Sequence, residues 1–230
     1  MKAHIRVVLI AALAGGILQG AQAAPTAAPA PAARTLILVR HGAYNMGPTQ
    51  SGPDGPGLVA LGIAQSRLTA ARLRALPQAP KVIVASSMRR ARETAAVLHE
   101  TLPEIQLGLS DALRECTPRA TDPQPVSAEY ALACERQLDA AFATFFVPAK
   151  GGAETDVLVC HGNVIRYFIM KALGVDSTHW MQMIVGHASI TVIRVESSGI
   201  FQILSVGDVG HLPANMQSGY GERDQQLLVP

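Results

Sequence analysis

Aromatic side chains are scarce in this 230-residue chain: one Trp, four Tyr and five Phe together make up 4% of the sequence. Proteins that bind single-stranded nucleic acid stack its bases on clustered aromatic side chains, so the composition argues against that role. Neither sign of charge dominates, because 19 Lys and Arg residues face 17 Asp and Glu residues, for a net charge of +2. A general polyanion-binding surface is therefore disfavoured, and no nucleic-acid partner is expected.

Cysteine is equally scarce, with three residues in the chain. Cys116, Cys134 and Cys160 form no Cys-x-x-Cys pair, which argues against a metal site built on thiolates. An exported protein meets oxidants, so Cys116 and Cys134 could form a disulfide, but the odd number of cysteines leaves this pairing open. Cys160 lies inside an apolar strand pattern and is expected to be a buried free thiol.

The apolar run near the N-terminus is too short to cross a bilayer. It covers residues 7–18, about a dozen positions, whereas a spanning helix needs roughly 20. Lys2 and Arg6 precede the run, and Ala21 and Ala23 follow it in the small-x-small form that signal peptidase accepts. This pattern favours a cleaved signal peptide over an uncleaved anchor or a buried helix.

Three segments are therefore expected along the chain. Residues 1–23 form the signal peptide, residues 24–33 form a flexible Ala/Pro-rich leader, and residues 34–230 form the folded domain. The length suits one domain with a full hydrophobic core. The signal predicts a periplasmic or secreted protein that has no stable membrane insertion after cleavage.

Strand and helix patterns alternate along the folded domain. Short aliphatic and β-branched runs predict strands buried on both faces, over residues 35–39, 81–85 and 156–160. Apolar residues at helical spacing predict helices over 61–76, 88–102, 127–146 and 163–173, with Ser127 as an N-cap and Gly174 as a C-terminal stop. Residues 190–196 and 200–206 predict a hairpin. The pattern indicates an α/β three-layer sandwich: a mostly parallel central sheet, helices on both faces and a C-terminal edge hairpin.

Polar and small residues follow the three predicted parallel strands at the point where each strand ends. They are Arg40, His41 and Gly42 after the first strand, Arg89 and Arg90 after the second, and His161, Gly162 and Asn163 after the third. Because the carboxyl ends of parallel strands meet at one edge of the sheet, these side chains are expected to converge there.

Such a cluster suits phosphoryl chemistry. Guanidinium groups bind a dianionic phosphoryl group and neutralise its charge, so neither a metal nor a cofactor is expected. A neutral imidazole can attack phosphorus, while a second imidazole hydrogen-bonds the oxygens that gather charge in the transition state. Gly42 and Gly162 each follow a histidine and are expected to let backbone N–H groups approach the phosphate closely. Asn163 opens a helix, and the N–H groups at a helix N-terminus also favour an anion.

Four sequence motifs resemble those of the histidine phosphatase superfamily, which includes phosphoglycerate mutase. They are Val39-Arg40-His41-Gly42, Ser86-x-x-x-Arg90-Ala91-x-x-Thr94-Ala95, Leu61-Gly62-x-x-Gln65 and His161-Gly162. Leu113-Arg114-Glu115, His161-Gly-Asn-Val-Ile-Arg166 and Gly207-Asp208-x-Gly210 are most similar to its branch of mitochondrial serine/threonine protein phosphatases. The resemblance implies a phosphoglycerate mutase-like fold.

The same resemblance implies roles for individual residues. His41 would be the nucleophile and Glu115 the general acid, while Arg40, Arg90 and His161 would bind the phosphoryl group. A carboxylic acid beside the phosphate also makes chemical sense, because an alkoxide is a poor leaving group unless it is protonated.

The sequence thus predicts a metal-independent phosphomonoester hydrolase that works through phosphohistidine, on a phosphoprotein or another exported phosphoester. Three alternatives stay open: a phosphatase for an envelope sugar or lipid phosphate, a mutase-type phosphotransferase, and a non-catalytic module that binds a phosphorylated ligand. The expected partner is a phosphorylated protein or small molecule. No motif in the sequence encodes the substrate or the oligomeric state.

Overall fold

The computed structural model describes residues 29–45 and 52–220. Within those ranges the regular elements are β1 (Pro31–Ala32), β2 (Arg34–Arg40), α1 (Ala60–Arg74), β3 (Val82–Ser86), α2 (Arg89–Thr101), β4 (Gln106–Ser110), α3 (Ala128–Phe145), β5 (Ala149–Lys150), β6 (Glu154–Cys160), α4 (Gly162–Leu173), β7 (Ile190–Val195) and β8 (Phe201–Asp208).

The central sheet has six strands in the order β4-β3-β6-β2-β7-β8. The first four strands are parallel, β7 is antiparallel to β2, and β8 pairs with β7 as a hairpin at the edge. This arrangement confirms the predicted mostly parallel sheet with a C-terminal edge hairpin. The sequence analysis did not predict β4. This strand lies at the opposite edge of the sheet, where none of its residues is fully buried and Leu109 is 58% exposed. A strand exposed in this way does not need a continuous apolar run, and the sequence of β4 has none.

Helices cover both faces of the sheet, as predicted for a three-layer sandwich. Alternate residues of β2 point to opposite faces: Leu36 and Leu38 join one hydrophobic cluster, while Ile37 and Val39 join the other. The first cluster includes residues of α3 and α4, and the second includes residues of α1 and α2. Both faces of β2 are buried, which explains its unbroken aliphatic sequence.

The predicted helix ends lie close to the observed ones. Ser127 is the N-cap of α3, where its side chain accepts a hydrogen bond from the Tyr130 N–H at 3.1 Å. Gly174 ends α4 with φ +67°, a left-handed conformation that glycine adopts without strain.

Two of the three cysteines are bonded to each other. Cys116 and Cys134 form a disulfide with a Cα–Cα distance of 5.6 Å, and Cys160 is free and buried.

The structure describes only the end of the N-terminal segment. Pro31–Ala32, at the end of the leader, pairs with Ala149–Lys150. The signal peptide expected over residues 1–23 lies outside the described residues. None of the described helices is both long and apolar enough to cross a membrane.

Candidate active site

Two histidines meet where the central strands end. β2 and β6 are paired in parallel register with Arg40 opposite Cys160, so the residues that follow them, His41 and His161, are neighbours. Their ring centroids are 5.1 Å apart, and both rings are buried. The sequence-based expectation that the strand ends bring these two imidazoles together agrees with this geometry.

The hydrogen bonds of His41 define which of its nitrogens can react. Nδ1 lies 2.9 Å from the Gly42 carbonyl oxygen, which can only accept, so Nδ1 carries the proton. Nε2 is then unprotonated, and it accepts a hydrogen bond from Arg90 Nε at 3.0 Å. Burial, followed by the charges of His161, Arg40 and Arg90, holds the pKa of His41 well below its usual value. The ring is therefore neutral at physiological pH and has a lone pair at Nε2.

His161 is oriented by a serine at the end of β3. His161 Nε2 lies 2.8 Å from Ser86 Oγ, which also accepts the Met88 N–H at 3.3 Å. Glu115 Oε2 lies 3.6 Å from Nδ1 and favours the tautomer in which Nδ1 carries the proton and Nε2 accepts from the serine hydroxyl. The proton of the neutral ring then lies on Nδ1, a buried atom that has no hydrogen-bond partner among the described residues. Burial, with the charges of Arg90 and Arg40, lowers the pKa of His161 well below its usual value. The ring thus offers an unused N–H donor beside His41.

Arg40 is held by groups distant in the sequence. Its Nη1 donates to the carbonyl oxygens of Val185, at 2.6 Å, and Gly219, at 2.9 Å. Its Nη2 lies 3.3 Å from Nε2 of His187, whose Nδ1 lies 3.0 Å from Ser218 Oγ. Arg40 Nε is buried and has no partner among the described residues. These contacts fix the guanidinium and leave one of its three nitrogens, Nε, without a partner.

Two consecutive arginines begin α2, and only one of them belongs to the site. Arg90 is 6% exposed, contacts His41, and lies over the Tyr44 ring at 4.9 Å. The side chain of Arg89 is 59% exposed and pairs with Glu93 at 2.7 Å. The assignment of the phosphate-binding arginine to Arg90 rather than Arg89 agrees with these positions.

Glu115 reaches the same centre from an irregular segment after a short 3-10 turn, Asp111–Leu113. Its Oε1 accepts the Asn163 N–H at 3.1 Å, and its Oε2 lies 3.6 Å from His161 Nδ1 and 3.9 Å from Arg90 Nη2. Burial raises the pKa of Glu115, although the nearby arginines oppose that effect. The carboxyl group is therefore in a position, and in an environment, that favour proton donation.

Gly42 and Asn163 do not offer the backbone donors that the sequence analysis assigned to them. The Gly42 N–H donates to Thr94 Oγ1 at 3.0 Å, and the Asn163 N–H is bound to Glu115. Gly42 is required for a different reason, because a Cβ at this position would lie 2.5 Å from the carbonyl oxygen of Gly62 in α1. Asn163 instead anchors the acid, and its Nδ2 donates to the Cys116 carbonyl at 3.0 Å.

A cavity of about 420 Å³ opens onto this cluster. Its lining includes Arg40, Arg90, Glu115 and Asn163, together with Tyr44, Arg166 and Tyr220, to which the sequence analysis gave no role in the site. Arg166 was within reach of sequence reasoning, because it lies one helical turn after Gly162 and is therefore on the same face of α4. Tyr220 had no such signal, since only the tertiary fold brings it to the cavity.

The site could be read as a metal centre or as an anion site. His41, Glu115 and His161 each offer one ligand atom, and these atoms lie within 4.8 Å of one another. However, the lone pair of His41 Nε2 accepts a hydrogen bond from Arg90. The positive charges of Arg40 and Arg90 also help to lower the pKa of His41, so both arginines lie close enough to repel a second cation. Two fixed guanidiniums oppose a cation and favour a dianion, so the arrangement suits a phosphoryl group better.

Comparison with known sequences agrees with this geometry. A profile of the histidine phosphatase superfamily (branch 1) matches residues 36–123 and 117–209. The mitochondrial serine/threonine-protein phosphatase Pgam5 of Drosophila grimshawi is 33% identical over 208 residues, which cover 86% of this chain and 71% of that protein. Its counterpart in Xenopus laevis is 33% identical over 190 residues, covering 80% and 68% respectively.

Solved structures show the same fold. Phosphoglycerate mutase from Plasmodium falciparum matches with a TM-score of 0.57 and 26% identity, over 79% of this chain and 95% of that one. Mycobacterial glucosyl-3-phosphoglycerate phosphatase matches with a TM-score of 0.59 and 25% identity, over 76% and 99%. The predicted phosphoglycerate mutase-like fold is thus confirmed. The chain belongs to branch 1 of the histidine phosphatase superfamily, and it is a phosphatase.

Proposed function

We propose that the protein hydrolyses phosphomonoesters through a phosphohistidine on His41 Nε2, without a metal ion. One observation carries the proposal: Arg40 Nε and His161 Nδ1 are buried donors without a partner among the described residues. Arg40 directly precedes the nucleophile in the chain, and the His161 ring centroid lies 5.1 Å from that of His41. An unpaired buried donor is costly, and an anion that accepts from both donors would remove this cost. Arg90 adds further donors from the α2 side.

The first half of the reaction transfers the phosphoryl group to the enzyme. When the phosphoryl group binds, Arg90 Nε donates to a phosphoryl oxygen instead of His41 Nε2, which frees the lone pair of Nε2. Nε2 then attacks phosphorus as the bond to the ester oxygen breaks, and the neutral Glu115 carboxyl gives its proton to the departing oxygen. The Gly42 carbonyl accepts from His41 Nδ1–H, which stabilises the positive charge that the ring acquires. Arg40, Arg90 and His161 hold the phosphoryl oxygens in the transition state.

The second half returns the enzyme to its starting state. The Glu115 carboxylate takes a proton from a water molecule, and the resulting hydroxide attacks phosphorus as the bond to Nε2 breaks. Inorganic phosphate leaves, His41 is again neutral, and Glu115 again carries its proton. The acid and the base of the cycle are therefore one carboxyl group.

For the substrate, we propose a phosphoprotein or another exported phosphoester. The names of the curated relatives, which describe serine/threonine-protein phosphatases, support the first. The expected signal segment and the Cys116–Cys134 disulfide, a bond typical of oxidising compartments, support a periplasmic or secreted location. Cell fractionation with N-terminal sequencing tests the location: an intact N-terminus in the cytoplasmic fraction would contradict it.

Turnover of 4-nitrophenyl phosphate and of an alkyl phosphate tests the mechanism. We expect His41→Ala to abolish both activities, while His179→Ala, a change at a half-exposed histidine outside the site, leaves both unchanged. Glu115→Gln should slow the alkyl ester far more than the aryl ester, because nitrophenolate leaves without a proton. Equal slowing of both esters would show that Glu115 is not the general acid. Residual turnover by His41→Ala would show that the reaction does not proceed through a phosphohistidine on His41.

An assay of phosphoserine and phosphothreonine peptides beside sugar phosphates distinguishes a phosphoprotein substrate from a small-molecule one. Higher kcat/KM on the peptides supports the phosphoprotein assignment, and higher kcat/KM on the sugar phosphates favours a small-molecule substrate.

A further inference from the structure

We propose that the Cys116–Cys134 disulfide is the positioning element for Glu115, so that its reduction selectively removes proton donation to the leaving group. This inference rests on the proposed function, because it assigns a consequence to the acid role of Glu115. It predicts that the redox state of one bond controls which phosphate esters the enzyme can hydrolyse, while the nucleophile stays in place.

Glu115 is the site residue that regular structure supports least. Arg40 is the last residue of β2, His41 and His161 directly follow strands, and Arg90 lies in the first turn of α2. Glu115, in contrast, lies in a stretch over residues 114–127 that contains neither helix nor strand. Its position therefore depends on the contacts that the side chains of this stretch and its neighbours make.

The stretch is held by contacts with several elements. Arg114 Nη2 donates to the Pro53 carbonyl at 2.9 Å, and the Glu115 N–H donates to Met88 Sδ at 3.3 Å. Trp180 Nε1 donates to the Arg119 carbonyl at 2.9 Å.

Further contacts connect the stretch to α3. Before Glu115, Gln137 Nε2 donates to the carbonyl oxygens of Ala112, at 3.3 Å, and Arg114, at 2.9 Å. After Glu115, Arg119 forms a two-pronged ion pair with Glu135, but the Arg119 side chain is 58% exposed. Exposed ion pairs contribute little to stability, so this contact is a weak restraint.

The disulfide is the covalent restraint among these contacts, and it is attached to the residue next to the acid. Cys116 and Cys134 are 7% and 3% exposed, so the bond lies within the packed interface with α3. The Cys116 carbonyl accepts from Asn163 Nδ2, and the backbone N–H of the same Asn163 holds Glu115 Oε1. A shift of Cys116 would therefore disturb both bonds by which the N-terminal end of α4 orients the carboxyl group.

The nucleophile has no comparable dependence on the disulfide. His41 is held by the Gly42 carbonyl and Arg90 Nε, and the Gly42 N–H is bound to Thr94. None of these partners belongs to the stretch over residues 114–127 or to α3. Loss of the disulfide should therefore affect protonation of the leaving group and not attack on phosphorus.

The reductant that the switch requires is a dithiol. Its thiolate attacks one sulfur, the Cys116–Cys134 bond breaks, and a mixed disulfide forms. The second thiol of the reductant resolves this intermediate, so that two cysteine thiols form and the dithiol is oxidised to its disulfide. The low exposure of both sulfurs implies that the exchange needs local opening of the segment.

The experiment compares an alkyl phosphate with 4-nitrophenyl phosphate in four samples. The first two are the wild type, oxidised and reduced with dithiothreitol; the other two are the variants Cys116→Ala/Cys134→Ala and Glu115→Gln, each assayed with and without the reductant. We expect reduction to lower kcat for the alkyl ester by about tenfold or more, part of the 10²–10⁴-fold that a general acid supplies. The aryl rate should stay within about twofold, and reoxidation should restore the alkyl rate.

The Glu115→Gln sample separates positioning of the acid from general loosening of the fold. Reduction should leave its ratio of aryl to alkyl rates unchanged, because no acid is left to misplace. Dithiothreitol should likewise have no effect on the double cysteine variant. If that variant does not fold, the reversible reduction of the wild type still gives the answer.

Two results would overturn the inference while the proposed function stands: no change in either rate after reduction, or equal loss on both esters. Failure of the proposed function has a different signature, namely that the oxidised wild type hydrolyses neither ester.

Discussion

Replacement of Gly62 by alanine tests how closely α1 packs against the loop that follows β2 and carries His41 and Ala43. A Cβ at Gly62 would lie 2.0 Å from the carbonyl oxygen and 2.8 Å from the nitrogen of Ala43, two residues after His41. Real Cβ atoms essentially never approach closer than 3.0 Å, so helix and loop would have to separate by about 1 Å. Both opposing atoms belong to the backbone, and rotation of a side chain cannot relieve the contact.

The cost follows from overpacking and from the bonds that the separation would weaken. Overpacking of a tight contact costs about 1–3 kcal/mol. The Ala43 N–H donates to Gln65 Oε1 at 2.8 Å, the Ala43 carbonyl accepts from the Val59 N–H at 3.1 Å, and each bond is worth about 1 kcal/mol. A loss of about 3 kcal/mol lowers the Tm of a domain of this size by about 6–12 °C.

Activity should fall along with stability, because His41 is part of the displaced loop. A misplacement of about 1 Å in a reacting group costs on the order of 10²-fold in rate. Thermal unfolding and turnover of 4-nitrophenyl phosphate measure the two effects in the same sample. Gly108→Ala is the matched control, because a Cβ at this position in β4 meets nothing within 4 Å. A Gly62→Ala protein with the Tm and turnover of the wild type would refute the reasoning.

Three further predictions concern charge and pH. Arg90→Lys should lower kcat/KM by about 10²–10³-fold, because one ammonium cannot both contact His41 Nε2 and hold phosphate. Arg89→Lys is the control and should change kcat/KM little, since Arg89 is exposed and pairs with Glu93. Equal losses in the two variants would contradict this prediction. Burial lowers the pKa of His187 to about 3, so between about pH 6.5 and pH 3 the unfolded chain binds a proton that the folded protein does not. The free energy of unfolding, measured in urea, should therefore decrease as pH falls below about 6.5. Alkyl phosphate turnover should decline as pH rises through the raised pKa of Glu115, and a pH–rate profile of Glu115→Gln that keeps this decline would contradict the assignment.

The sequence alone determined the buried strands of the sheet and the placement of the two histidines. Buried parallel strands need unbroken aliphatic runs, and the residues that follow such strands must lie at one edge of the sheet. The positions of His41 and His161 in the chain were therefore enough to place both at that edge, whereas the choice of Arg90 over Arg89 depended on the family motif. The edge strand β4 escaped prediction for the converse reason, since it is buried too little to carry that signal.

Glu115 is an intermediate case. No periodicity marks it, because it lies in an irregular segment, and its assignment depended on the resemblance to a family. The structure then supplied the geometry that makes the assignment chemically reasonable, with Oε2 3.6 Å from His161 Nδ1.

Only the tertiary structure decided how the site is held and which donors are unused. Arg40 is fixed by the carbonyls of Val185 and Gly219, 145 and 179 positions away in the chain, and no local pattern encodes such contacts. The N–H groups of Gly42 and Asn163 were assigned to phosphate from their position, yet Thr94 and Glu115 already accept them. Local sequence determines where a strand or a helix ends, but the partner of each polar group depends on which segments the folded chain brings within about 3 Å.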